Sequence, residues 1–194
     1  MHITLEVLDQ VLSALGEQLA EPAAAGQELI VIGGSALLVL GFVDSPTRDV
    51  DVLAVVEMGV LHSASPLPHA LKEAKDRVGR DFGLDADWLN PGPTDLLQWG
   101  LPEGLMDRVS SRHYGPALII HFVGRLDQIH FKLYAMVDQG GGRHEADLRV
   151  LRPTREELKA AARWSITHDP SPGFRTMLIE ALNQMGVEDV DLES

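Results

Sequence analysis

The sequence predicts an α/β (α+β) protein, with a small mixed β-sheet, flanking helices and a helical C-terminal region. Three observations lead there. Apolar residues recur at helical spacing near the N-terminus, strand-like apolar runs follow in "ELIVIGG", "DVDVLAVV" and "PALIIHFVG", and the chain beyond residue 125 is helical in pattern throughout. Residues 1–125 therefore read as an α/β core and residues 126–194 as a helical region packed on it in one globular unit.

Residues 4–21 place Leu5, Leu8, Val11, Leu12 and Leu15 three and four positions apart, the stripe of an amphipathic helix that "EPAAAGQ" closes. "ELIVIGG" reads as a short strand ending in glycines, "SALLVLGF" as a short buried helix, and "DVDVLAVV" as a second strand after the turn-rich "VDSPT". Strand, glycine turn, helix and strand make a βαβ-like start. Residues 67–81 carry a charged amphipathic helix, and the Pro- and Gly-rich stretch after it reads as irregular. The β-branched residues of "PALIIHFVG" mark a third strand. Four helices follow, in "LDQIHFKLYAMVDQ", "RHEADLRVL", "TREELKAAARWSITHD" and "GFRTMLIEALNQMG", with Thr154 and Glu157 spaced as a capping box. The last acidic residues read as a frayed tail.

Bulk properties narrow the function classes. A formal net charge of -13 argues against a broad nucleic-acid-binding surface, which works by replacing phosphate counterions with Lys and Arg, and it suits a cationic small molecule or a basic protein partner. No apolar run approaches the roughly 20 residues that span a bilayer, so no membrane association is expected. The N-terminus lacks the pattern of a signal peptide, and the absence of cysteine excludes disulfides and thiolate metal sites, which together point to the cytoplasm.

Asp49 and Asp51 are the residues that a buried strand would not choose for packing. Two apart on extended chain, they project to one side while Val50 and Val52 project to the other. Carboxylates that close repel unless a cation or water stands between them, and a hard ion such as Mg²⁺ takes one or two protein carboxylates together with water and phosphate oxygens. Upstream, Gly33, Gly34 and Ser35 lie where a strand hands over to a helix. There the helix N–H groups and dipole favour phosphate, and glycine allows close approach. A Gly-Gly-Ser turn alone reads as a capped turn and an Asp-x-Asp alone as a solvated pair; their order and context are what point to one pocket.

The stretch "GGSALLVLGFVDSPTRDVDVL" resembles the signature of the DNA polymerase beta-like nucleotidyltransferase superfamily. The resemblance implies that Gly34 and Ser35, beside Gly33, contact the triphosphate of an NTP, that Asp49 and Asp51 hold divalent metal, and that Arg48 assists phosphate binding. "FKLYAMVDQGGGRHEADLRVL" is similar to segments of nucleotidyltransferase-like proteins of bacterial abortive-infection and toxin–antitoxin systems. On that likeness Lys132 faces the nucleotide as a charge-stabilising group, with Arg143, His144 and Asp147 near it. Arg143 and Asp147 also have the i, i+4 spacing of a surface ion pair.

Active members of the superfamily add a third carboxylate from a neighbouring strand. Here the third strand carries His121, and Asp87 in "GLDADWLN", with Asp85 behind it, is the candidate acid. Trp88, Trp99 and Trp164 read as packing residues, with Trp88 also placed to stack on a base. The expected activity is Mg²⁺-dependent transfer of a nucleoside monophosphate from an NTP to an acceptor, either a small cationic molecule, an RNA or a protein. The alternative is a non-catalytic nucleotide-binding module that acts with a protein partner.

Overall fold

The computed structural model describes residues 2–20 and 26–188. The first helix, α1, is Leu5–Leu19, capped by Thr4, whose hydroxyl accepts from Val7 N–H. Most of "EPAAAGQ", which the sequence offers as its close, lies outside the described residues, as does the acidic tail from 189 onward. Among the described residues the strands are β1 (Gln27–Ile32), β2 (Val50–Glu57), β3 (Val60–His62), β4 (Leu89–Asn90), β5 (Ser110–His113) and β6 (Leu118–Phe122). They form one mixed sheet in the order β3-β2-β1-β6-β5, with β4 beside β2. The predicted fold class is thus what the chain adopts.

One local expectation changes. β1, the helix α2 (Gly33–Val39) and β2 follow one another as anticipated, but β2 runs antiparallel to β1, so the unit is not a parallel βαβ crossover. Ile32 at the end of β1 is paired with Asp51 near the start of β2, so the chain re-enters the sheet beside the end of β1 and runs back along it. The parallel neighbours are β1 with β6 and β2 with β4. The two glycines, read as the end of the strand, open the helix instead, and Gly33 adopts φ +75°.

The chain folds as two compact units. In the first, Met1–Gln98 with Met106–Gly124, one face of the sheet is covered by α1 and by α3 (His69–Phe82). Leu8, Val11, Leu12 and Leu15 join Leu71, Ala74 and Val78 against Leu29, Val31, Val52, Ile120 and Phe122, the alternate residues of their strands. Trp88 is 1% exposed and donates from Nε1 to Lys75 O at 3.1 Å, so it packs and offers no face to a base. In the same core, Tyr114 donates to Asp9 Oδ1 at 3.1 Å, and burial, then the neighbouring carboxylate, push its hydroxyl up to about 12.

The second unit, Trp99–Leu105 with Arg125–Ser194, contains α4 (Arg125–Asp138), α5 (Gly142–Val150), α6 (Arg155–His168) and α7 (Pro172–Gln184). Thr154 and Glu157 form the anticipated capping box. Arg125 grips Glu157 through two bonds of 2.6 and 3.1 Å and also donates to Leu151 O and Arg152 O, which fixes the start of α4 to the α5–α6 corner. Trp164 meets His130, Phe131 and Tyr134 edge-on and donates to Gly100 O, a packing role as predicted. Trp99, by contrast, is 62% exposed. No described helix is long and apolar enough to cross a membrane.

Candidate functional site

Gly33 and Asp51 define the site in the first unit. Ile32 on β1 is the register partner of Asp51 on β2, so the first residue of α2 emerges beside the Asp51 side chain. A Cβ at position 33 would overlap the Asp51 carboxylate, and both this and the positive φ call for glycine. The glycine turn and the acid are therefore packed against one another. Gly34 and Ser35 follow within the first turn, both buried, and the Ser35 hydroxyl donates inward to Ile32 O at 3.4 Å.

Asp49 immediately precedes β2 and Asp51 is its second residue; both are half-buried. Asp49 Oδ1 is a buried oxygen with no hydrogen-bond partner. Such an atom is costly in an apolar setting and is the kind of group a cation satisfies. Asp51 Oδ1 accepts from Asn90 Nδ2 at 3.0 Å. β4 runs parallel to β2 and pairs Asp51 with Asn90, so the neighbouring strand presents an amide to Asp51 and not the candidate acid Asp87. Asp87 lies three residues earlier in an exposed turn, near the equally exposed Asp85. Arg48 is exposed in the bend before Asp49. Among the described residues, no three His, Cys, Asp or Glu side chains gather as a metal-binding group. The donor set is two carboxylates, which suits an ion that draws its other ligands from water and phosphate.

A second polar cluster lies within the helical unit. Lys132 on α4, 4% exposed, donates from Nζ to Asp147 Oδ2 on α5 at 2.7 Å. The ion pair of Asp147 thus runs between helices to Lys132, in place of the i, i+4 pair with Arg143, which is exposed. His144, one turn before Asp147's neighbour Leu148, has a buried Nδ1 without a hydrogen-bond partner. Burial first, then the charges of Lys132 and Arg143, lower its pKa, which favours a neutral ring.

The structure therefore gathers Gly33, Gly34, Ser35, Asp49 and Asp51 in one unit and Lys132, His144 and Asp147 in the other. It leaves Arg48, Asp87 and Arg143 exposed. A groove of about 430 Å³ beside the C-terminal end of α3, lined by Lys75, Arg80, Asp85 and Trp88 among others, includes none of Gly33, Gly34, Ser35, Asp49, Asp51, Asp87 and Lys132. Sequence reading missed Asn90, whose only signal was its place after the strand-like pair Trp88–Leu89. Comparison with protein-family models, curated proteins and solved structures finds no match for this chain.

Proposed function

We propose that this protein binds an NTP with Mg²⁺ and transfers its nucleoside monophosphate to an acceptor hydroxyl or phosphate. The observation that carries this reading is the packing of the Asp51 carboxylate against Gly33, which joins a backbone turn suited to phosphate and a carboxylate suited to a divalent ion in one place. The buried, unpartnered Asp49 Oδ1 is the second support. Asp49 and Asp51 would hold the ion, which when bound supplies Lewis-acid stabilisation of phosphoryl oxygens. Gly34 and Ser35 act through backbone N–H groups. The acceptor is a small cationic molecule on the strength of the acidic chain, or RNA or protein on the strength of the toxin-like resemblance.

A specific observation favours a second reading, nucleotide binding without transfer in concert with a protein partner. Asn90, a neutral amide, is the residue that β4 presents to Asp51. Two carboxylates suffice to bind a metal–nucleotide complex, while aligning an attacking and a leaving oxygen asks more of the ligand set.

Calorimetric titration of each NTP in Mg²⁺, repeated in EDTA and with an Asp49→Ala/Asp51→Ala variant, tests both. Metal-dependent binding that the variant loses is expected. Release of pyrophosphate in an acceptor screen then separates transfer from binding alone. Failure of every NTP to bind would sink both readings.

A further inference from the structure

Ser111, His121 and Glu28 form a continuous hydrogen-bonded line across three strands, β5, β6 and β1. Ser111 Oγ is 2.7 Å from His121 Nδ1, and His121 Nε2 is 3.3 Å from Glu28 Oε2. The line follows from register. Ser111 stands opposite His121, and Tyr114 N–H bonds to Leu118 O, so by the two-residue alternation of an antiparallel ladder Ser111 and His121 are a non-hydrogen-bonded pair, whose side chains approach most closely. On the parallel side His121 is paired with Ile30, two positions from Glu28, so Glu28 shares the face of the sheet on which the imidazole lies.

The bonding assigns the tautomer. Nε2 carries the hydrogen and donates to the Glu28 carboxylate, which leaves the Nδ1 lone pair to accept from the Ser111 hydroxyl. A hydroxyl, a base within reach and a third group that orients the base are the three parts of an activated nucleophile. Exposure is graded in the same order: Ser111 is exposed, whereas the His121 side chain is only 14% exposed, so the base is sheltered and the nucleophile accessible. β5 also ends the strand order, so Ser111 N–H, in a non-hydrogen-bonded pair, points away from β6 at the sheet edge, a backbone donor beside the hydroxyl.

We propose that Ser111 is a base-activated nucleophile toward small esters with good leaving groups. Ser111 Oγ bonds to the acyl carbon as its proton passes to His121 Nδ1. The acyl C–O bond then breaks, and the leaving oxygen departs either with that proton or as the anion, in which case His121 Nδ1 gives the proton up to solvent. Water, deprotonated by the same nitrogen, cleaves the Ser111 ester to a carboxylic acid and restores the hydroxyl. Glu28 is a positioning residue: it holds the ring in the reactive tautomer and stabilises the imidazolium that forms. The restriction to activated esters follows from the setting, since an exposed strand surface gives an acyl donor little help beyond the hydroxyl and its base. This activity is independent of the nucleotide reading and uses none of its residues.

The test uses the full-length protein, a fluorophosphonate probe and p-nitrophenyl acetate, with the modified residue located by mass spectrometry. The probe's phosphorus bonds to Ser111 Oγ with loss of fluoride, and the acetate ester gives acetyl-Ser111 with release of p-nitrophenol. Ser111 is expected to label ahead of all other hydroxyls. His121→Gln should slow labelling by about 100-fold or more. Glu28→Gln should slow it and Glu28→Asp should restore it, a rescue that a purely structural hydrogen bond would not give. Thermal unfolding midpoints near that of the parent chain establish that each variant is folded, and the labelling pattern of the parent chain stands regardless of the variants. Label spread evenly over surface hydroxyls, or a Ser111 rate indifferent to His121→Gln, overturns the proposal.

Discussion

Asn90 is held at both ends of its amide and turned toward Asp51: Nδ2 donates to Asp51 Oδ1 at 3.0 Å while Oδ1 accepts from Gly92 N–H at 2.9 Å. The second bond fixes which end of the amide faces the carboxylate, because a flipped amide would set an NH₂ group against the Gly92 N–H.

Replacing Asn90 by Asp keeps the shape and substitutes an acceptor for that donor. Without divalent ion the variant should lose about 1 kcal/mol of stability to like-charge repulsion across β4 and β2. Added Mg²⁺ should recover that loss and bind more tightly than to the parent chain. Denaturant unfolding with and without Mg²⁺ reads both effects, and a variant indifferent to Mg²⁺ would mean that Asp51 does not hold the ion.

Gly33 and Gly41 separate conformational strain from contact. Their φ angles are +75° and +73°, but a Cβ at Gly41 meets nothing within 4 Å, whereas one at Gly33 overlaps Asp51. Gly41→Ala should cost roughly 1–2 kcal/mol, the ordinary penalty of a left-handed alanine. Gly33→Ala should cost more and should also weaken NTP binding by displacing the carboxylate. Equal losses in the two variants would deny the contact any role.

The Lys132–Asp147 pair should behave as a buried ion pair. Its side chains are 6% and 14% exposed. Lys132→Ala or Asp147→Ala leaves an uncompensated charge and should destabilise the helical unit by about 3–5 kcal/mol, while Lys132→Met with Asp147→Leu should restore most of the loss. Urea denaturation of the three variants makes the comparison. Non-additivity is the diagnostic, because two independent residues would simply sum.

Glu157 gives the helical unit an acid-sensitive component. Hydrogen bonding from Arg125 is the largest cause that lowers its carboxyl from 4.5 to about 2. A depressed folded pKa means that the contribution is complete above the unfolded value near 4.5 and disappears as pH falls toward 2. The parent chain should exceed Glu157→Gln by roughly 1–2 kcal/mol at pH 6, and the gap should close by pH 2. A gap that stays constant across that range would contradict the linkage.

How far the sequence could be read depended on element length and burial. α1, α3, α4, α6 and α7 were legible because each repeats an apolar stripe over several turns, and β1, β2 and β6 because they are runs of β-branched and aliphatic residues. β3, β4 and β5 were not. β3 has three residues, β4 has two, and β5 reads "SSRH", an edge strand whose side chains are mostly exposed and so carry no hydrophobic alternation. Those omissions hid Asn90 and Ser111, since each is brought to its neighbour by strand pairing alone. The Asp49–Asp51 spacing was visible because two residues apart on extended chain is a local relation. The Lys132–Asp147 bond, between two helices, was open to more than one partner until their packing was known.

β1 draws its two neighbours from very different stretches of chain. Its antiparallel partner β2 ends at residue 57, joined through a single short helix, but its parallel partner β6 lies at residues 118–122. Pairing Gln27 with Leu118 closes a loop of about ninety residues, an entropic cost met only after the intervening chain exists. During synthesis the β1–α2–β2 segment can therefore assemble early, with Leu29, Ile30, Val31 and Ile32 presenting an open strand edge until β6 emerges. The strand that becomes the best protected in the finished sheet is, for that interval, its most exposed to mispairing with another chain.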